Sequence, residues 1–215
     1  MHPMLWLFAF ATLSIAPGVA YAPTPPPSVQ PIPLALQTPA TRPLSFYSQF
    51  DDISSPSWRK VGCGVASLAM IIDYYKPDAV TVNTLLKQGI ASGAYDKNAG
   101  WIYKGLIGLS GKYGLDGAAF DYSKVSASAA LAKLSAQLEK GPVIASVHYK
   151  FDPKSAIPHL VVIESIKNGE VYYSDPAAKS GHLHLSTEKF LKAWKRRLVV
   201  IRPIVPSKTL VAVLR

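Results

Sequence analysis

The amino-acid sequence predicts an α+β domain, with helices in its first half and an antiparallel sheet in its second. Two observations carry this. Between residues 63 and 140 apolar side chains recur at helical spacing, as with Val65, Leu68, Ala69 and Ile72 at i, i+3, i+4 and i+7. Beyond Gly141-Pro142 the pattern changes to short β-branched runs, two of them separated by Asn168-Gly169. That dipeptide is the strongest short-range hairpin signal.

The elements follow in order. Residues 44–58 hold a short apolar segment and then a turn-rich stretch over 51–57. A helix is predicted from Cys63 to about Tyr75, with Pro77 as its stop. A second follows Thr81, with Val82, Leu85 and Leu86 inward. A third begins near Trp101, with Ile102, Leu106, Leu109 and Tyr113 on one face and Gly114 at its end. A fourth covers about 128–140, with Leu131, Leu134 and Leu138 inward. Strands are expected over 143–149, 160–166 and 171–174, and again where Leu183 and Leu185 alternate with His182 and His184. Ser186-Thr187-Glu188 opens a short helix through Trp194, and 198–204 reads as a closing strand. There is no internal repeat.

Composition narrows the classes. The chain has 215 residues, 49% hydrophobic and 17% charged, which suits one domain with tails or two small ones. One cysteine makes no intramolecular disulfide, and 14 glycines exclude a collagen-like chain. Lys and Arg number 23 against 13 Asp and Glu, a net charge of +10. Arg42 is the first charged residue, so the whole excess lies after position 41. Such a charge favours anionic surroundings, among them cell-envelope polymers, acidic lipid and nucleic acid. No nucleic-acid recognition motif with interleaved aromatics is present, so no nucleic-acid partner is expected.

The N-terminus reads as an address. Residues 4–16 are a 13-residue apolar run, short for a bilayer span and suited to a secretory signal. Small residues follow at Gly18, Ala20 and Ala22, the last a cleavage position that would leave Pro23 first. No Lys or Arg precedes the run, so an uncleaved membrane anchor is the alternative to an exported, periplasmic or secreted product. Residues 23–43 carry eight prolines and read as an extended spacer. The expected organisation is a signal peptide (1–22), a Pro-rich linker (23–43), a folded domain (44–206) and a C-terminal tail (207–215).

Cys63 is the informative residue. It lies between Gly62 and Gly64 at the first turn of a predicted helix, where free N–H groups and the helix dipole favour a thiolate. The two glycines read as leaving room for a substrate. Position alone leaves a nucleophile and a structural thiol equally open. A nucleophilic thiol needs a base, and the base an orienting group. His2 falls in the signal segment, leaving His148, His159, His182 and His184. With the turn at Asn168-Gly169, Ile163 is expected opposite Ser174, and Asp175 within one to three residues of His159 along the hairpin. His148 has only Asp152 nearby, and His182 with His184 lacks a third ligand at useful spacing, so no metal or other cofactor is expected. Trp101 and Tyr103 read as core residues, with a substrate groove as the other option.

The segment Ser48-Gln49-Phe50-Asp51, then Trp58 and Gly62-Cys63-Gly64-Val65-Ala66-Ser67, resembles the cysteine motif of papain-like peptidases of the double-glycine leader (bacteriocin-processing) type. It is most similar to the stand-alone bacterial relatives without a transporter. Gly141-Pro142-Val143-Ile144, His159-Leu160-Val161-Val162-Ile163 and Val171-Tyr172-Tyr173-Ser174-Asp175-Pro176 resemble that family's histidine and aspartate motifs. The resemblance runs from about residue 45 to 203.

It implies a papain-like cysteine peptidase fold, N-terminal helices packed on a C-terminal antiparallel sheet. It further implies a peptide or protein substrate, with Cys63 as nucleophile, His159 as base and then acid, and Asp175 orienting the ring. The oxyanion donors would be the Cys63 backbone N–H and the Gln49 side chain. Val65 departs from the proline that many relatives carry, and Gln49, 14 residues before Cys63, matches the spacing of the stand-alone forms. No phosphate-binding loop is present, so no ATP partner is expected. Two alternatives stand beside an exported thiol peptidase. One is a catalytically silent papain-like module binding the cell envelope. The other is NlpC-type wall hydrolysis, whose Asp-Cys-Ser-Gly signature is absent.

Overall fold

In the computed structural model, residues 42–204 are described. The expected signal segment, nearly all of the Pro-rich linker and the tail lie outside the described residues. The chain runs through α1 (Pro56–Arg59), α2 (Cys63–Tyr75), α3 (Val82–Ala91), β1 (Tyr95–Asp96), β2 (Gly100–Trp101), α4 (Tyr103–Gly111), β3 (Leu115–Asp121) and α5 (Ala127–Leu138). Then come β4 (Val143–His148), a 3-10 turn (Tyr149–Phe151), β5 (Pro158–Lys167), β6 (Glu170–Ser174), β7 (Leu183–Ser186), α6 (Thr187–Ala193) and β8 (Trp194–Pro203).

Six strands form one antiparallel sheet in the order β3-β8-β4-β5-β6-β7. Strand β4 reads Val-Ile-Ala-Ser-Val-His and is buried at its first five positions, as a strand covered on both faces must be. Alternation divides the core in two. Ile144, Leu160, Val162 and Val199 join the cluster built on α2, α3 and α4. Val143, Ala145, Val161, Ile163 and Val200 join a second cluster with Leu134 of α5 and Phe190 of α6. The N-terminal helices thus cover one face, as expected, and α5 and α6 cover the other.

Local signals set the helix ends. Thr81 caps α3 by accepting from the Thr84 N–H, Ser126 caps α5 from Ala129, and Ser186 caps α6 from Lys189. At the other end of α2, the buried Asp73 accepts from Ser45 Oγ at 2.6 Å, from the Asp78 N–H at 3.0 Å and from Arg42 at 3.2 Å. These bonds tie the incoming chain to that helix.

Four features differ from the sequence expectation. Trp101 belongs to the small β1–β2 hairpin, and α4 starts after it at Tyr103, so Ile102 is the N-cap and is 37% exposed. Residues 115–121, Leu-Asp-Gly-Ala-Ala-Phe-Asp, form an edge strand despite weak β propensity because β8 pairs along all seven positions. The first turn of helix in the turn-rich stretch is α1, with Pro56 at its start. Strand β8 begins at Trp194, earlier than expected, directly after α6.

The hairpin register also differs. Asn168 and Gly169 take φ of 53° and 79°, the paired left-handed conformation of a type I′ turn. Ile166↔Val171 and Ser165↔Tyr172 keep the turn's register. A bulge at Glu164 then offsets the pairing, so Val162, not Ile163, stands opposite Ser174.

Phe190 is fully buried and stacks on Trp194 with centroids 5.2 Å apart, anchoring α6 to the sheet. Phe190→Ala is expected to destabilise the domain by about 3–5 kcal/mol, read as a lowered urea midpoint at unchanged slope.

Candidate active site

Cys63 is the first residue of α2, and its N-cap, Gly62, offers no side-chain cap. The first N–H groups of the helix, that of Cys63 included, therefore have no acceptor from a preceding turn. From Gly64 to Asp73 every residue of α2 is buried, so the helix has no freedom to turn about its axis. Ser67, one turn beyond Cys63 on the same face, donates to the Leu160 carbonyl at 3.2 Å. That bond sets the helix against β5 beside His159. The Cys63 thiol, partly exposed, stands near enough to the His159 ring to raise its pKa.

His159 is 4% exposed. Its Nε2–H donates to Asp175 Oδ1 at 2.5 Å, which leaves Nδ1 for Cys63. Asp175 Oδ1 also accepts from the Ala177 N–H at 2.8 Å, and the Tyr149 ring stands edge-on to the imidazole at 5.3 Å. Burial pushes the imidazole pKa down, but the hydrogen bonds to Asp175 and Cys63 and the attraction of both groups outweigh it, raising the pKa from 6.5 to about 9.

The bulge at Glu164 is what brings the pair to one face. Continued past Val162↔Ser174, the register sets Asp175 opposite Val161, two residues from His159 and on its side of the strand. The unbulged register would pair Asp175 with Val162, on the opposite face. The bulge residue is held in place: Glu164 accepts from Ser174 Oγ at 2.7 Å through Oε1 and pairs with His182 Nδ1 at 2.7 Å through Oε2. The His182 N–H in turn donates to Ser174 Oγ. Sequence reading missed Glu164, Ser174 and Ser67 because their partners are distant in the chain. A Glu within a β-branched run facing a buried strand was the one available signal.

Gln49 is 3% exposed and lines the same cleft as Cys63 and His159. Its backbone N–H donates to the Pro176 carbonyl at 2.8 Å, which ties this segment to the turn after Asp175. One side-chain N–H goes to the Arg59 carbonyl at 2.7 Å, leaving one amide hydrogen, and Oε1 is buried without a partner. The cleft encloses about 480 Å³, with Trp101, Tyr103, Tyr149 and Leu160 in its walls.

The two glycines do not open space for a substrate, as the sequence reading held. A Cβ at Gly62 would collide with Ile53 Cδ1. One at Gly64 would lie 2.6 Å from Trp101 Cδ1, and one at Gly89 2.6 Å from Trp101 Cζ3. The Trp101 ring is wedged between α2 and α3, its indole N–H donating to the Val61 carbonyl at 2.6 Å. Trp101 is thus both core and cleft wall.

The remaining histidines lie elsewhere. His148 Nδ1 contacts the Ser155 carbonyl at 2.6 Å, and His184 lies 3.4 Å from Glu170. His182 precedes β7 with φ of 55°, so it does not alternate with His184 along a strand. Among the described residues no group of three or more His, Cys, Asp or Glu is placed to hold a metal.

A helix bearing a thiol at its N-terminus, packed on an antiparallel sheet bearing a His–Asp pair, is the architecture of papain-like peptidase domains. Two solved structures are similar in fold. A double glycine motif protease from an AMS/PCAT transporter, in complex with its leader peptide, is 20% identical with a TM-score of 0.51, covering 75% of this chain and 92% of that one. A putative C39-like peptidase from Bacillus anthracis is 20% identical with a TM-score of 0.52, covering 74% and 94%. No curated protein matches in sequence. The chain belongs to the Peptidase_C39 like family, whose model matches residues 42–198.

Gly64→Ala is expected to overpack the α2–Trp101 contact. The indole is held by its hydrogen bond and by Gly89, so stability falls by about 1–3 kcal/mol, measurable in urea unfolding with intrinsic tryptophan fluorescence.

Proposed function

We propose that this chain is an exported thiol peptidase that hydrolyses peptide bonds with Cys63, His159 and Asp175. The observation that carries the reading is the buried His159–Asp175 pair, Nε2 to Oδ1 at 2.5 Å, beside Cys63 in a cleft of about 480 Å³. The family supports a peptidase fold. A leader peptide bound to a protease of the same fold supports a peptide as the ligand of this cleft. Export rests on the apolar run at 4–16.

The chemistry follows from the geometry. The Cys63 sulfur attacks the scissile carbonyl carbon, its proton passing to His159 Nδ1. The tetrahedral oxyanion accepts from the Cys63 N–H and the uncommitted amide hydrogen of Gln49. Collapse expels the amine, which takes the proton from Nδ1, and a thioester remains. His159 then deprotonates a water that attacks the thioester, and the acid leaves as sulfur is restored. Asp175 holds the ring throughout and stabilises its cationic form.

Iodoacetamide labelling of Cys63 across a pH series in wild type, His159→Ala and Asp175→Asn tests this. Labelling is expected to persist into mildly acidic solution and to fall by about tenfold or more there in His159→Ala. Labelling that follows an ordinary thiol, with a pKa of about 8.5, and ignores both substitutions would leave the silent binding module as the function.

The raised imidazole pKa makes a second prediction. Hydrolysis needs the His159 proton, so kcat/KM is expected to decline at alkaline pH with an apparent pKa of about 9. Asp175→Asn removes a hydrogen bond that raises the value while burial remains, and moves that limb toward neutral pH. Because the folded value lies above the 6.5 of the free group, the stability it contributes is full below pH 6.5 and is lost as pH rises through about 9. Thermal melting of Cys63→Ala along the same series checks the sign without turnover: the loss of stability on raising pH is expected to persist, at lower pH than in the wild type, since Asp175 alone then raises the value.

A further inference from the structure

The cleft does not end at the sulfur. Ala99, Trp101, Tyr103, Ser146 and Pro158 line both it and an adjoining open groove of about 440 Å³. One trough therefore runs from Cys63 and His159 to the first residues of β8. Lys60 and Lys97 border the cleft, and Lys104, Lys195 and Arg197 border the groove, while no Asp or Glu lines either. Among the described residues none of these four lysines has a carboxylate within ion-pair distance. Arg197 is engaged at Nε by Asp121 at 2.9 Å.

The groove's end is built from like charges. Lys195 and Arg197 both line it, whereas Arg196 between them, at φ of 56°, bonds the Val125 carbonyl at 2.8 Å. Burial and the neighbouring Arg197 both push the Lys195 ammonium down, so an anion placed there would relieve the strain on its charge.

Resting on the peptidase reading, we propose that the trough selects acidic peptides, with Asp or Glu side chains over Lys104, Lys195 and Arg197 while the scissile bond lies at Cys63. The net charge of +10 attracts any anion to the surface, but the trough alone places one in line with the nucleophile. Exposed charge pairs are individually weak. Several converging on one bound chain, partly desolvated by it, give a preference that weakens with salt.

The test is fluorescence anisotropy with the full chain carrying Cys63→Ala and three labelled peptide pools. The pools differ only in carrying Asp/Glu, Ser/Gln or Lys at the varied positions, and are compared at about 0.02 and 0.2 M salt. The acidic pool is expected to bind about tenfold tighter than the neutral one at low salt. Lys104→Glu with Lys195→Glu should erase the preference, and Lys104→Ser with Lys195→Gln should reduce it. Reversal of two exposed lysines outside the trough, Lys87→Glu and Lys112→Glu, should leave it in place. Equal binding of the pools overturns the proposal, as does a preference that survives reversal in the trough or is lost equally to the outside pair. His159-dependent labelling of Cys63 together with equal binding would overturn acidic selection and leave the peptidase reading intact. Acidic preference with ordinary thiol labelling would refute turnover and keep the trough as an acidic-peptide site.

Discussion

Helix α2 is enclosed from Gly64 to Asp73, between the sheet on one side and α3 and α4 on the other, and that confinement decides where the sulfur of Cys63 stands. A half-exposed helix can roll by several degrees at little expense. One packed on all sides, at crystal-like density, cannot. The Ser67–Leu160 bond sets its position along β5, and the Trp101 ring, wedged between Gly64 and Gly89, sets its distance from α3. The small residues at 62, 64 and 89 serve that close approach. Cys63 is left at the one point of the helix where backbone N–H groups are free and a cleft opens.

The second constraint is register. The type I′ turn at Asn168-Gly169 determines which residues pair near the loop, and the bulge at Glu164 changes the pairing before the strands reach the site. Side chains alternate across a sheet, so a shift of one residue exchanges its faces. Asp175 reaches His159 because of that shift. The Glu164 carboxylate, held between Ser174 and His182, links the bulge to the residue that precedes Asp175.

Electrostatics at the two scales differ in kind. At the centre, the pKa of a buried imidazole is raised because the Asp175 carboxylate and the Cys63 thiol outweigh the desolvation that burial imposes. Along the trough, lysines stand without carboxylate partners among the described residues, in reach of solvent and salt. The first arrangement is the one the proposed peptidase would use for proton transfer. The second is the one proposed to select among peptides.

Much of this molecule was legible in one dimension. The helices at 63–75, 82–91 and 127–138, the central strands and the Asn-Gly turn all follow from apolar period and turn chemistry, which act between near neighbours. The nearness of His159 and Asp175 along the hairpin was legible too, whereas Cys63 was set beside them by the family resemblance and the shared face of the pair came from the bulge. Tertiary structure alone decided the rest. Strand β3, with Gly-Ala-Ala at its centre, is a strand because β8 lies beside it. The bulge at Glu164, the wedge of Trp101 and the bond from Ser67 each join residues distant in the chain, and such contacts leave no periodic mark. The glycines flanking Cys63 show the difference most directly. Their small size was plain in the sequence, but only packing revealed that Ile53 and Trp101 are what they admit.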